Sequence, residues 1–210
     1  MKKFARILSF ITAAVVCAAL FASCALEKST DDKYFDYRLN ADGTGYTVSA
    51  SRENMPITVI IPETHEGLPV TGVAEQGFSG DNCVAIKEVV IKGAEVTVGA
   101  HAFRNLPNLR YVEFRNASTV TVGEYAFENC ADLAELKLAE GLNAFTAGVF
   151  AFKLAAFTDL AIRANEVNIG EYAFSYCASL KSFTVAATTA NVAETAVENC
   201  PNLSGIVYAN

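Results

Sequence analysis

The sequence predicts a solenoid of the α/β-repeat type, in which parallel strand rows alternate with short helical or 3₁₀ turns. Two observations predict it. From Val96 onward nearly the same phrase recurs five times: VTVGAHAFRNLPNLRYVEF, VTVGEYAFENCADLAELKL, AFTAGVFAFKLAAFTDLAI, VNIGEYAFSYCASLKSFTV and NVAETAVENCPNLSGIVY. With Phe103, Phe127, Phe150, Phe174 and Val197 as anchors the spacings are 24, 23, 24 and 23, and Phe78 leads the first by 25. A fixed period in the twenties marks units too small to bury their own apolar face, which must stack on their neighbours. The second observation is an LxxLxL pattern closing each unit, whose last positions alternate apolar and polar with the period of a half-buried strand. Such a stack offers a long regular surface and no closed pocket, which favours binding over catalysis.

The amino end reads as an export signal. Lys2, Lys3 and Arg6 precede a run from Ile7 to Ala22 that is apolar apart from Ser9, Thr12 and Cys17. Its sixteen residues fall short of the roughly 20 that a membrane-spanning helix needs, so residues 1–23 are assigned to a secretory signal. Phe21-Ala22-Ser23-Cys24 resembles the lipobox of bacterial lipoproteins, with Phe21 in place of the preferred leucine. The resemblance implies acylation of Cys24 and a polar tether over 24–33.

Residues 34–68 are expected to form an N-terminal β cap and lead-in strand. Phe35 to Leu39 and Gly45 to Ala50 read as strands joined by the turn-forming run Asn40-Ala-Asp-Gly-Thr. The solenoid then occupies 69–210 in about six coils. One strand row is carried by Ile86-Val89-Ile91, Leu109-Val112-Phe114, Leu133-Leu136-Leu138, Phe157-Leu160-Ile162, Leu180-Phe183-Val185 and Leu203-Ile206-Tyr208. A second is carried by Val96-Thr-Val98, Val120-Thr-Val122 and Val167-Asn-Ile169. Between them GxxAFxNC supplies a glycine for the turn and a Phe for the centre of the coil. The fourth unit departs from this pattern. It carries Thr146 where glycine is expected, Phe145 and Phe152 flanking the Phe150 anchor, and no cysteine. Its turn is expected to be irregular, through drift in a tolerant coil or to leave an apolar patch for a partner.

Four cysteines lie beyond the signal and Cys24. Cys130, Cys177 and Cys200 each follow the anchor by three residues, where the second repeat has Leu106. A position that accepts Cys or Leu is a core site, and free Cys behaves as a small hydrophobe. The alternative is a disulfide, available only to Cys177 and Cys200 because only they belong to adjacent coils.

Charge narrows the partners. The chain has formal net charge −7; removing residues 1–23 takes away three basic residues and no acid, leaving 187 residues at −10. That balance argues against nucleic acid, whose binders concentrate Lys and Arg on one face. It also argues against a basic membrane-surface patch, so any membrane attachment is through the lipid.

The phrase VxxIGxxAFxxCxxL at this period resembles the BspA type of leucine-rich repeat, a family of bacterial and protozoan surface proteins. The resemblance covers about residues 56–208, and ITVIIPETHEGLPVTGVAEQGF resembles the family's usual approach to the first repeat. It implies a non-catalytic, adhesin-like role with a protein ligand on a host or neighbouring cell. No metal or cofactor is expected. His65 and His101 are the only histidines, and no spacing joins either to a nucleophile or a second base. The candidate binding face lies on the outward strand positions Arg110, Tyr111, Glu113, Glu135 and Lys137, where aromatic and Arg side chains suit a protein contact. A second hypothesis is an envelope lipoprotein that only spaces or scaffolds its neighbours.

Overall fold

A computed structural model describes residues 28–209. Cys24, the signal and the start of the tether lie outside them. Among the described residues no helix is long and apolar enough to cross a membrane.

The cap is a hairpin of β1 (Phe35–Leu39) and β2 (Tyr46–Ala50), antiparallel with Phe35 opposite Ala50. Gly43 takes φ 70° at its turn, where Asn40 N–H donates to Gly45 O at 2.8 Å. Strand β2 pairs in parallel with β5 (Leu68–Val73), so the hairpin is continuous with the solenoid. Beside it β3 (Thr58–Ile61) opens the front row, and the two-residue β4 (Thr64–His65) pairs back onto β5.

Each following coil contributes one front and one back strand. The front row holds β6 (Glu88–Lys92), β8 (Tyr111–Arg115), β10 (Glu135–Lys137), β12 (Asp159–Arg163), β14 (Ser182–Ala186) and β16 (Ile206–Ala209). The back row holds β7 (Glu95–Val98), β9 (Thr119–Val122), β11 (Ala144–Ala147), β13 (Glu166–Ile169) and β15 (Thr189–Val192). Strands from successive coils pair in parallel and in register, as in Val96↔Val120 and Val89↔Val112. The back sheet runs unbroken from β1 to β15. The amino end of the front row is covered, because Thr30 N–H donates to Ile60 O at 3.0 Å and Thr30 Oγ1 accepts from Ile60 N–H at 2.8 Å.

The segment between the rows is not helical, which makes the α part of the expected label loose. The 3₁₀ turns among the described residues are Asp32–Tyr34 and Asp81–Cys83. In the repeats the backbone turns twice through the left-handed region, at His101, Tyr125, Phe150 and Tyr172 and again at Asn105, Asn129, Leu154 and Tyr176. Alternate N–H groups bond within the turn, as Ala102 to Gly99 O at 3.2 Å and Ala126 to Gly123 O at 3.3 Å, and the others bond across coils. Here Phe103 N–H donates to Ala126 O at 2.8 Å and Phe127 N–H to Ala151 O at 2.7 Å. The turn thus forms a third backbone ladder between coils. Asn tolerates this conformation better than other side chains with a Cβ.

The core is a file of stacked rings. Phe78, Phe103, Phe127, Phe152 and Phe174 succeed one another at 5.0, 5.1, 5.1 and 5.0 Å between centroids. The fourth coil corrects the expected register. Its core ring is Phe152, while Phe150 joins an outer file with His101, Tyr125 and Tyr172. Gly148, not Thr146, therefore occupies the turn position of Gly123. A Cβ on Gly148 would meet Glu124 N at 2.9 Å and Gly123 C at 3.0 Å. The turn there is regular; the irregularity lies after it, where Phe157 follows Phe152 by five residues while Leu133 follows Phe127 by six. Phe145 and Phe152 are both fully buried, so they form no apolar patch.

Cys83, Cys130, Cys177 and Cys200 are buried and free. Cys130 Sγ donates to Phe103 O at 3.1 Å and Cys200 Sγ to Phe174 O at 3.2 Å.

Candidate functional site

On the outer face of the front row, register assembles columns across coils. Glu88, Tyr111 and Glu135 form one; Ile60, Val90, Glu113 and Lys137 form the next. Four of the five predicted residues are thus neighbours. Arg110 sits just before β8, exposed, with Nε 3.7 Å from Asp132 Oδ2.

Glu113 differs from expectation. It points outward but is only 5% exposed, because three side chains close over it. Arg115 Nη2 donates to Oε2 at 2.7 Å and Nε to Oε1 at 3.1 Å, the forked geometry that suits a carboxylate. Tyr111 OH donates to Oε2 at 2.9 Å, and Lys137 Nζ reaches Oε1 at 3.2 Å from the next coil. Burial alone would push the carboxyl up; the hydrogen bonds from Arg115, Tyr111 and Lys137 outweigh it and hold it down at about 2. Burial, and donation to Glu113, push the Tyr111 phenol up. The result is a rigid knot with an aromatic edge and two cations at its surface. Arg115 is the member that sequence reasoning missed. The signal was available, since two residues beyond Glu113 on a strand is the same face.

Beside the knot the front row is cut. Strands β3, β6, β8 and β10 form one sheet and β12, β14 and β16 another, with no ladder between β10 and β12. The coils still meet below the cut, where Ala156 N–H donates to Leu133 O at 2.8 Å, and above it, where Asn165 N–H donates to Leu142 O at 3.0 Å. The cause is chain length. From Lys137 to Ala144 the chain takes seven positions, one more than between their register partners Glu113 and Thr119. The extra length lifts the strand end away just where the next coil is a residue short. A cleft of about 550 Å³ opens, lined by Glu135, Leu136, Lys137, Glu140, Ala161 and Arg163. Leu136 is only half-buried there, whereas its register partner Val112 is fully buried.

The turn side carries a second buried acid. Glu128 lies 2.6 Å from Arg104 Nε and 3.1 Å from Lys153 Nζ, and Lys153 also sits 5.0 Å over the Phe150 ring. The outer rings stack face to face, so they present edges and no open aromatic face. His101 takes its place in that file, 4.9 Å from Tyr125. His65 is stacked on Tyr37 at 3.6 Å. Its Nδ1 lies 3.8 Å from Asp32 Oδ2. Among the described residues no group of three or more His, Cys, Asp or Glu could hold a metal.

No curated protein matches the chain. A T. pallidum leucine rich repeat protein of known crystal structure is 29% identical, with TM-score 0.72, over 86% of this chain and 82% of that one. A leucine-rich repeat protein from Bacteroides ovatus shares the fold at TM-score 0.61 and 22% identity, over 86% of this chain and 47% of that one. The description BspA type Leucine rich repeat region matches six copies across residues 71–204. With most of its length in those six copies, and the stacked coils they predict, the chain belongs to the BspA-type leucine-rich repeat family.

Proposed function

We propose that the protein is a non-catalytic, adhesin-like binding module of the bacterial cell surface. The observation that carries this reading is the Glu113 knot, which fixes Tyr111, Arg115 and Lys137 in place beside the cleft between β10 and β12. Side chains already ordered lose little entropy on contact, and aromatic and Arg groups dominate protein interfaces. The ligand is a protein of a host or neighbouring cell. Family membership supports the general role, since repeat proteins of this type often mediate surface interactions. Residues 1–23 serve as the signal, residues 24–33 as the tether, Cys24 carries the lipid, residues 34–68 cap the stack and residues 69–210 make up the solenoid.

A second reading has its own support. Glu113 is internally satisfied by Arg115, Lys137 and Tyr111, as suits a face that only stays soluble while the solenoid spaces envelope neighbours. Two measurements on whole cells separate the readings. Cys24→Ser should move the full chain from detergent to aqueous phase and abolish lipid labelling; unchanged partitioning ends the lipoprotein assignment. Protease added to intact cells should remove the solenoid if it faces outward, and leave it intact if it scaffolds the interior of the envelope.

A further inference from the structure

Cys177 and Cys200 occupy one position of the last two coils. The ladder of the turn segments holds those coils in register, with Phe174 N–H donating to Ala196 O at 2.8 Å and Tyr176 N–H to Glu198 O at 2.9 Å. Neighbouring strands in such a ladder lie roughly 4.8 Å apart, inside the span of about 4.4–6.8 Å between Cα atoms that a disulfide bridges. Both thiols are buried and free, and each donates to a carbonyl of the preceding coil, Cys177 Sγ to Phe152 O at 3.5 Å and Cys200 Sγ to Phe174 O at 3.2 Å. No other pair in the column is placed this way, since Cys130 is flanked by Leu106 and Ala155 in the adjoining coils.

The terminal coil also has the freedom to complete the bond. It carries Val197 in place of the core Phe, β15 and β16 are the last strands of their sheets, and Val207 and Tyr208 are exposed. Ends of solenoids open locally before their centres, which gives a reagent access to Cys200. The neighbouring Cys177 side chain holds the Cys200 thiol down, whereas the Cys200 side chain, together with burial, pushes Cys177 up. Cys200 is therefore the first nucleophile.

We infer that Cys177 and Cys200 are a disulfide site that fastens the last coil when the protein meets a small disulfide donor such as oxidised glutathione. The Cys200 thiolate attacks one sulfur of the donor and expels its first thiol. Cys177, deprotonated in turn, attacks Cys200 Sγ and expels the second. Two cysteine thiols are oxidised, one donor disulfide is reduced to two thiols, and the two cysteine protons end on those thiols. An exported location is where such donors are met.

The test treats the full chain with oxidised glutathione, then digests it without reductant for mass analysis. The expected product is one cross-linked peptide pair containing Cys177 and Cys200, about 2 Da lighter than the two peptides together, with Cys83 and Cys130 still free. Hydrogen exchange across 189–209 should slow in the oxidised protein. Cys177→Ala should trap a glutathione adduct on Cys200. Recovery of Cys177 and Cys200 as thiols in the wild-type chain, or of a lasting adduct on Cys200 with Cys177 unmodified, overturns the inference without use of any variant.

Discussion

Phe127 and Phe152 stack at 5.1 Å between centroids and 6° from parallel, although 25 residues separate them. Phe127 is fully buried and also meets Phe103 at 5.1 Å. Phe127→Ala should therefore destabilise the fold by about 3–5 kcal/mol, the cost of emptying an aromatic core site. Damage in a stack passes first to nearest neighbours. Hydrogen exchange should quicken in the coils of Phe103 and Phe152 before it does in the β1–β2 hairpin, and uniform loss of protection would count against a solenoid.

Gly148 tests the register of the fourth coil. Gly148→Ala presses a methyl group on backbone atoms of Gly123 and Glu124, and should cost about 1–3 kcal/mol, the range of overpacking. Thr146→Ala, at a half-buried position of β11, should cost less than half as much in chemical denaturation. Equal effects would return the turn to Thr146.

Glu113 makes stability depend on acid. Its folded pKa is depressed to about 2, below the unfolded value of about 4.3. The contribution is thus present in full above the unfolded value and is lost as pH falls through the folded one. Thermal melts of wild type and Glu113→Gln should differ at pH 6 and converge between about pH 4 and pH 2. A gap that persists at pH 2 would show that packing, and not ionisation, carries the difference.

For binding, Arg110→Ala with Tyr111→Ala should weaken attachment to a protein ligand by about 2 kcal/mol or more, a hot-spot magnitude. Circular dichroism should show the fold intact, because Arg110 is exposed and Tyr111 only half-buried. Tyr125→Ala with Tyr172→Ala alters the turn side and should leave attachment unchanged. Reversal of the two results would move the site to the turn side.

The coils were legible because stacking demands identical chemistry at identical positions. Alternation in Val96-Thr-Val98 and Val120-Thr-Val122 placed the back strands, and the Cys130, Cys177 and Cys200 positions placed buried thiols. Register in the fourth coil was not legible. Phe150 and Phe152 are the same letter two positions apart, and only the closeness of Gly148 to the preceding coil decides between them. The turns misled because Ala-Phe after glycine suits a helical turn locally, while the N–H groups in fact alternate, Ala102 bonding back to Gly99 O and Phe103 across to Ala126 O. At the candidate site, period two placed Glu113 outward, as found. Its burial comes from Arg115 and from Lys137, which lies 24 residues away in sequence. The cut between β10 and β12 follows from one extra residue between Lys137 and Ala144, a matter of length that the identity of the residues does not announce.

That cut gives the protein the mechanics of a notched beam. The back sheet, continuous through β9, β11 and β13, acts as the unbroken fibre and keeps the rod in one piece under tension. The two front plates share no strand ladder and meet only through bonds such as Ala156 N–H to Leu133 O, so compliance is greatest between the third and fourth coils. Load applied to the plate of β12, β14 and β16 flexes the stack about its spine, and it changes the angle at which the Glu113 plate meets whatever rests on it.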